Sequence, residues 1–522
     1  MEALPDWLEP LPDAEAMRAV DRWAIEQQGV PGLELMERAG EGVARAIERR
    51  SPDGPVAVLC GKGNNGGDGL VVARLLRHAG RAVTVVCVAP VEEFKGDAET
   101  NLARLPGPAP ISLAQAADAI AEASVIVDAL LGTGFAGEPH GPVAEAIEAI
   151  DAADGIVVAV DVPSGVDAST GVISGPAASA AMTVTFHASK PGLWIMPGKA
   201  HAGEVQAIAI GVPRGAPLRA SIGLTGASVL ELLPRRVADS TKFASGQVVV
   251  AGGSRGLTGA PRMAAQASMR AGAGYVIACV PASLQDVLAT SATPELMTRG
   301  LPELEGSLTP DAVADVLGAI RPGGALALGP GLGRGEGAFE FAQQLAAAVQ
   351  APLVLDADGL NAHAGRLGEL RGRKQPTVLT PHAGELGRLL ELASDEIERE
   401  RLRHVRAAAE QSGAVVVLKG DDTLIADPAG RVAVSRGATP ALATAGTGDV
   451  LTGVIAALLA QGLDAFAAAA AGVWLHAQAG REAASRQGVP EGVIASDVIE
   501  ALPAARAGAS NAPAASNASG HG

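Results

Sequence analysis

Residues 56–69 read VAVLCGKGNNGGDG, an apolar run that breaks into a glycine-rich loop, followed by a helical pattern over Leu70–Arg77. Five consecutive apolar residues closed by a glycine fit a strand buried on both faces, the form strands take in parallel sheets. The glycines allow the backbone to approach a ligand, and the helix that follows offers unpaired N–H groups to an anion. Three similar runs follow, Val83–Val88, Val125–Leu130 and Ile156–Val160, separated by helical patterns. Strands alternating with helices specify an α/β domain with a parallel sheet. Upstream, Met36, Gly40, Val43 and Ile47 recur at helical spacing, with Glu37, Arg38, Glu41 and Arg45 on other faces, so an amphipathic helix covers this sheet.

A second α/β set begins with Val248–Val250 and continues through Val276–Val280, Ala325–Leu328, Leu353–Leu355, Val378–Leu379 and Val415–Leu418. A chain of 522 residues exceeds one ordinary hydrophobic core, so two domains are expected. Regularity fails between Pro213 and Arg236, where Pro213, Gly215, Pro217, Gly223, Gly226 and Pro234 punctuate the chain. This reading sets a first domain at 1–215, a linker at 216–234 and a second domain at 235–503. Residues 504–522 are mostly Ala, Ser, Asn and Gly without periodicity and are expected to form a disordered tail. The longest apolar region, Val450–Leu475, is interrupted by Gln461 and Asp464, which predicts a buried helix pair rather than a membrane span.

The net charge of −17, with no Lys/Arg cluster interleaved with aromatic residues, argues against a nucleic-acid partner. Aromatic residues make up only 2% of the chain, so its cores must be built from Ala, Val and Leu. Cys60, Cys87 and Cys279 form no CxxC pair and read as buried thiols of a reducing compartment. Residues Met1 to Pro12 lack the basic segment and apolar core of a signal peptide, so a cytoplasmic protein is expected. The Ala/Gly-rich helices suggest a homo-oligomer.

The segments VDALLGTG (127–134) and VDVPSG (160–165) each place a carboxylate at the end of a buried strand, followed by a glycine turn. Ligands of open α/β sheets bind at such strand ends. Asn65, Asp128 and Ser164 would converge there as hard oxygen donors for a cation such as potassium or magnesium, leaving Asp161 for acid–base work. The GxGxxG at 61–66 is weak by itself, because Glu92 and Glu93 come late for a ribose-binding acid. Lys190 reads as a solvated charge or a phosphate neighbour and is not counted as catalytic.

In the second half, AGTGDVLTG (445–453) places glycine N–H groups and Asp449 at a helix N-terminus, where a phosphate can be held and a proton taken. The loops LKGDDT (418–423), GPGLG (329–333), DADGLN (356–361) and TPHAGE (380–385) also stand at strand ends. Five such loops point to one phosphate-binding site. Glu385 and Asp358 are candidate outer-sphere partners of magnesium.

The motifs NNGGDG, DALLGTG, DVPSG, KPGL (190–193) and LMERAG (35–40) resemble the NAD(P)H-hydrate epimerase family over nearly all of residues 1–215. That resemblance implies a Rossmann-like three-layer domain with potassium on Asn65, Asp128 and Ser164. It also implies that Asn64, Asn65, Gly66, Gly67, Asp68, Gly132, Thr133, Gly134, Phe135, Ala136, Gly137, Glu138 and Asp161 contact the substrate. The second set of loops, with GGS (252–254), GA (259–260) and PELM (294–297), resembles the ADP-dependent NAD(P)H-hydrate dehydratase family, which is ribokinase-like and three-layered. Thr241 and Leu257 depart from its pattern at peripheral positions. The resemblance implies that Lys419, Gly420, Asp421, Asp422, Thr423 and Gly448 hold ADP, with magnesium on its phosphates. Ala260, Gly331, His382 and Asp449 would contact the hydrated dinucleotide.

The function so implied is repair of hydrated NADH and NADPH, the compounds NADHX and NADPHX. Asp161 would serve epimerisation of the R and S hydrates. Asp449 would serve ADP-dependent dehydration of the S hydrate to NAD(P)H, AMP and phosphate. A small-molecule kinase is the rival reading of the second half, and the fused first half has no purpose in such a kinase.

Overall fold

The computed structural model describes residues 3–291 and 293–508 and divides the chain into two units, Pro10–Gly223 and Met1–Glu9 with Leu224–Gly522. In the first unit the valine-rich runs pair into a seven-stranded parallel sheet. Its order is Ile111–Ser112, Val83–Cys87, Val56–Cys60, Val125–Ala129, Ile156–Val160, Met182–Phe186 and Glu204–Ile208. From Val56–Cys60 the chain builds outward to one side through Val83–Cys87, then returns to the other side with Val125–Ala129. The direction of winding reverses between Val56–Cys60 and Val125–Ala129, and doubly wound sheets bind ligands at the strand ends of such a reversal.

The amphipathic helix is Gly32–Arg50, with Leu35, Met36, Ala39, Val43 and Ile47 buried. Two strands escaped the sequence reading for identifiable reasons. Met182–Phe186 carries Thr183 and Thr185 on a fully buried strand, which breaks the apolar signature, and Thr183 Oγ1 satisfies itself by donating to the Ala202 carbonyl at 2.6 Å. Glu204–Ile208 is a half-exposed edge strand.

The second unit holds an eleven-stranded sheet, of which seven strands run parallel from Val415–Leu418 through Thr377–Leu379, Leu353–Leu355, Ala325–Leu328, Gln247–Ala251 and Tyr275–Pro281 to Met297–Leu301. Antiparallel strands Leu424–Ala426 and Val432–Val434 extend it past Val415–Leu418. Ile222–Thr225 and then Leu8–Pro10 complete that edge. The α/β class expected for both halves is therefore present, each with its parallel strands at the centre.

The segment expected as a linker is not one throughout. Ile222–Thr225 is a sheet strand and Ala227–Leu232 a 3₁₀ helix, because Ile222, Leu224, Val229 and Leu230 are buried among apolar neighbours despite the surrounding glycines and prolines. The expected tail also begins too early: the helix Ala495–Gly508 runs through Pro503, anchored by buried Val498, Ile499, Leu502 and Ala505. The remainder of that tail, 509–522, lies outside the described residues.

The long apolar region is the helix pair Thr447–Ala460 and Ala465–Gln487. Among the described residues no helix is long and apolar enough to cross a membrane. Ala467–Ala471 and most of their neighbours are buried within this unit's own core, so these helices do not supply the free surface from which a homo-oligomer was expected. The shortage of aromatic side chains is met by close helix contact. A Cβ on Gly453 would lie 2.0 Å from the Ala264 carbonyl oxygen of the helix Gly259–Arg270, and Ser268 Oγ donates to the Gly453 carbonyl at 2.9 Å. Gly453→Ala is expected to destabilise this unit by about 1–3 kcal/mol through overpacking. Calorimetry should show a lowered midpoint, and an unchanged one would contradict the contact.

Candidate active sites

In the first unit the glycine loop is shorter than the sequence suggests. Gly63 caps the helix Asn64–His78, so Asn64 to Gly69 form its first turns rather than a loop before Leu70. Glycine is required by crowding here: a Cβ on Gly61 would lie 2.1 Å from the Leu130 carbonyl oxygen, and one on Gly66 1.7 Å from that of Gly61. Gly67 and Asp68 are consequently buried, and the Gly67 N–H already donates to the Gly63 carbonyl at 3.0 Å. That leaves the earlier amides of the turn, rather than Gly67, to meet an anion.

Asn65, Asp128 and Ser164 do come together. Ser164 donates from its backbone N (2.8 Å) and Oγ (2.5 Å) to the Asp128 carboxylate. Ser164 Oγ accepts from Leu131 N at 2.9 Å, and Asn65 Nδ2 donates to the Leu131 carbonyl at 2.9 Å. Burial pushes the Asp128 carboxyl up to about 6, against the lowering effect of the Ser164 and Leu130 hydrogen bonds. Among the described residues no cationic side chain pairs with it.

Asp161 follows the strand Ile156–Val160 with φ of +69°, a left-handed conformation that a non-glycine residue holds only under constraint. Its Oδ2 accepts from Thr133 N (3.0 Å) and Oγ1 (2.5 Å), which ties it to the loop 132–138. Its Oδ1 accepts from Lys190 Nζ at 2.6 Å and Thr185 Oγ1 at 3.2 Å. Burial alone would raise the Asp161 carboxyl, but the Lys190 charge and the hydrogen bonds from Lys190 and Thr133 outweigh it and hold the group below its ordinary value. Asp68 goes the opposite way, raised well above its ordinary value by burial and by the nearby Asp161 and Asp21 carboxylates. Thr133 is the residue of its loop that reaches Asp161, whereas Gly134, Ala136, Gly137 and Glu138 are exposed. Sequence reasoning missed Lys190, which is buried rather than solvated, and Asp21 on the helix Ala14–Arg22.

In the second unit Asp449 lies in the first turn of the helix Thr447–Ala460, which is capped by left-handed Gly446. Lys419 approaches it closely enough that a Cβ on Gly448 would sit 3.6 Å from Nζ. Lys419 Nζ contacts Asp356 Oδ1 at 3.1 Å and Glu385 Oε2 at 3.6 Å, and Thr452 Oγ1 donates to Asp356 Oδ2 at 2.7 Å. Burial pushes the Asp449 carboxyl up to about 7, with Asp356 and Glu385 adding to the rise and Lys419 opposing it. His382 caps the helix Ala383–Leu390, its backbone N donating to Glu385 Oε2 at 2.9 Å while its Nδ1 accepts from Gly384 N at 3.0 Å. This hydrogen bond assigns the proton of the neutral ring to Nε2. Gly331 is left-handed (φ +64°), and a Cβ on it would lie 2.6 Å from the Leu257 carbonyl oxygen and 3.1 Å from Ala260 Cβ, so Gly331 and Ala260 are neighbours.

Two side chains are otherwise engaged than the sequence suggests. Asp422 is fully buried against Arg401, with Arg401 Nε 3.0 Å from its Oδ2, so its carboxylate is engaged inside the fold rather than offered to solvent. Asp358 accepts from Gly333 N (3.0 Å), Arg334 Nε (3.2 Å) and Asn361 Nδ2 (3.0 Å), so of the two carboxylates expected near magnesium it is Glu385 that lies beside Lys419, together with Asp356. Arg401 also donates to the Lys419 carbonyl at 3.2 Å, which anchors the turn 419–423 from beneath. Within that turn Thr423 Oγ1 donates to the Gly420 carbonyl at 2.7 Å, and Asp421 remains at the exposed tip.

Residues 32–192 match the family described as YjeF-related protein N-terminus, and residues 248–504 the family described as NAD(P)H-hydrate dehydratase. The bifunctional NAD(P)H-hydrate repair enzyme of Moorella thermoacetica is 43% identical over 507 residues, covering 94% of this chain and 95% of that protein. This chain belongs to the bifunctional NAD(P)H-hydrate repair enzymes. The Salinibacter ruber repair enzyme is 40% identical over 530 residues, covering 95% of each. A solved ADP/ATP-dependent NAD(P)H-hydrate dehydratase from Bacillus subtilis, co-crystallized with ATP and Mg²⁺, is 28% identical. It covers 55% of this chain and 98% of its own, at a TM-score of 0.48. In this chain Asp422→Ala would leave the buried Arg401 guanidinium with the half-exposed Glu398 as its carboxylate partner, and losing the charge-assisted hydrogen bonds to Asp422 is expected to cost about 1–3 kcal/mol. A thermal melt should shift down accordingly, and an unchanged melt would show that Glu398 and the backbone carbonyls suffice for Arg401.

Proposed function

We propose that the first unit interconverts the R and S hydrates of NADH and NADPH and that the second dehydrates the S hydrate at the expense of ADP. The observation that carries this reading is that each unit presents a carboxylate, the buried Asp161 or the half-buried Asp449, at the ligand-binding end of its sheet in a chain alike over 94% of its length with a known repair enzyme. The carbinolamine hydroxyl loses its proton to Asp161. The ring C–N bond then opens to an aldehyde as the nitrogen gains a proton, rotation exposes the other face, and the nitrogen re-adds. Asn64, Asn65, Asp68 and the 132–138 loop would hold the hydrate beside Asp161.

Asp128 is a buried carboxylate with no cationic side chain beside it among the described residues, and Asn65, Ser164 and the Leu131 carbonyl add neutral oxygens, a donor set that fits potassium. Potassium there would supply positive charge to anionic groups of the substrate. In the second unit Asp449 takes the hydroxyl proton, and the oxygen attacks the terminal phosphorus of ADP with AMP leaving. The phosphate then departs from carbon with help from the ring nitrogen lone pair, and loss of the neighbouring C–H proton gives NAD(P)H. Lys419 and the amides of Gly420 to Thr423 and Gly448 would hold the diphosphate, with Ala260, Gly331 and His382 against the dinucleotide. The carboxylate of Glu385 fits outer-sphere contact to magnesium, which would neutralise phosphate charge.

With mixed epimers, ADP and magnesium, Asp161→Asn should recover the dihydronicotinamide absorbance from the S fraction alone. Asp449→Asn should recover none while still interconverting the epimers. Full conversion of both hydrates by Asp161→Asn would remove that residue as the base. Because Asp449 must be ionised to act as a base, kcat/KM for dehydration should rise with pH through about 7. Asp356→Asn removes a negative charge that raises Asp449, so the rising limb should move to lower pH. A limb that stays in place in Asp356→Asn would assign it to another group.

A further inference from the structure

Lys190 has no role in the reading above, yet it is one of the largest fully buried side chains of the molecule, 1% exposed. All three ammonium protons are used: Nζ donates to Asp161 Oδ1 at 2.6 Å, Thr185 Oγ1 at 2.8 Å and the Phe186 carbonyl at 3.0 Å. Thr185 Oγ1 also reaches Asp161 Oδ1, at 3.2 Å, so one carboxylate oxygen is held from two sides. The other oxygen, Oδ2, meets only the backbone N and hydroxyl of Thr133, on the loop expected to carry the substrate. A hydroxyl can rotate and exchange partners, whereas the locked Oδ1 cannot turn away.

The surrounding charges sharpen the point. Asp21 reaches this neighbourhood from the helix Ala14–Arg22, Asp68 from the helix Asn64–His78, and His187 follows the strand Met182–Phe186. Asp161 therefore faces two further carboxylates, and Lys190 is the cation that offsets them. We propose that Lys190 is the positioning residue of the epimerase: by locking Oδ1 of Asp161 it presents Oδ2 as the oxygen that takes the substrate hydroxyl proton. The inference rests on Asp161 being the base.

The test uses the full chain, whose S-hydrate dehydration serves as an internal control. In Lys190→Met, kcat for R-to-S conversion should fall about 100-fold with little change in KM, a loss of the size general-base catalysis supplies. The acidic limb of its pH profile should move to higher pH, since the carboxylate loses its cation among Asp21 and Asp68. Lys190→Arg should restore the limb toward its original position and part of kcat. Thr185→Val, which removes no charge, should lower kcat about tenfold, as loss of an orienting contact does.

Unchanged kcat in Thr185→Val, or a Lys190→Met protein that loses only substrate affinity with an unmoved limb, would overturn the inference. Asp161→Asn separates the two levels of the argument. If it epimerises normally, the base assignment fails and the inference falls with it. If it is inactive while Lys190→Met keeps the original kcat and limb, only the positioning role is lost.

Discussion

A carboxylate buried at the end of a parallel strand must gain a counter-charge or hydrogen-bond donors, or else hold a proton. Both halves of this chain are arranged around that constraint, and its different solutions give the carboxylates different properties. Asp161 is met by Lys190, Thr185 and Thr133 and stays ionised. Asp128 is met only by neutral donors and is pushed up to about 6, which is the condition a cation would relieve. Asp422 is matched by Arg401 and becomes structural. Asp449 lies beside Lys419 but also near Asp356 and Glu385, and its carboxyl rises to about 7, close to the pH at which a general base is effective. Four aspartates near strand or helix ends thus sit in four different surroundings, and the charges and donors within reach set their carboxyls apart.

The same ends of the sheets are where backbone must come closest to backbone. Gly61 and Gly66 let the turn after Val56–Cys60 pass against the segment after Val125–Ala129, bringing Asn65 to the Leu131 carbonyl. Gly331 does the equivalent in the second unit by admitting Ala260 and Leu257. In a chain with so few aromatic side chains, glycine and alanine do much of the packing, so the cores and the sites are shaped by the same small residues.

What could be read from the sequence follows from how local each signal is. Runs such as VAVLC and VVVL announce buried strands by their own composition, and NNGGDG or GTGD announce a ligand-binding end by theirs. Thr183 and Thr185 hid a central strand because their hydroxyls find partners that only the folded chain provides. Lys190 resembled a surface lysine because its three acceptors come from residues 161, 185 and 186, of which Asp161 is distant in sequence. Asp422 looked like a nucleotide contact for the same reason, since its partner Arg401 lies a helix and a strand away. The helix start at Asn64 was obscured by glycines, which signal a loop by composition while crowding dictates otherwise.

The pairing of Leu8–Pro10 beside Ile222–Thr225 makes the first catalytic unit an insertion within the second. On a ribosome, the strand Leu8–Pro10 emerges well before its neighbour Ile222–Thr225, which follows only after the whole of the intervening unit. An early segment left waiting in this way is an unpaired sheet edge, the kind of feature that promotes misassembly during folding. Its three-residue length and the charged Glu9 limit that exposure. That sheet is therefore closed at one edge by two strands separated in the chain by a whole unit with a sheet of its own.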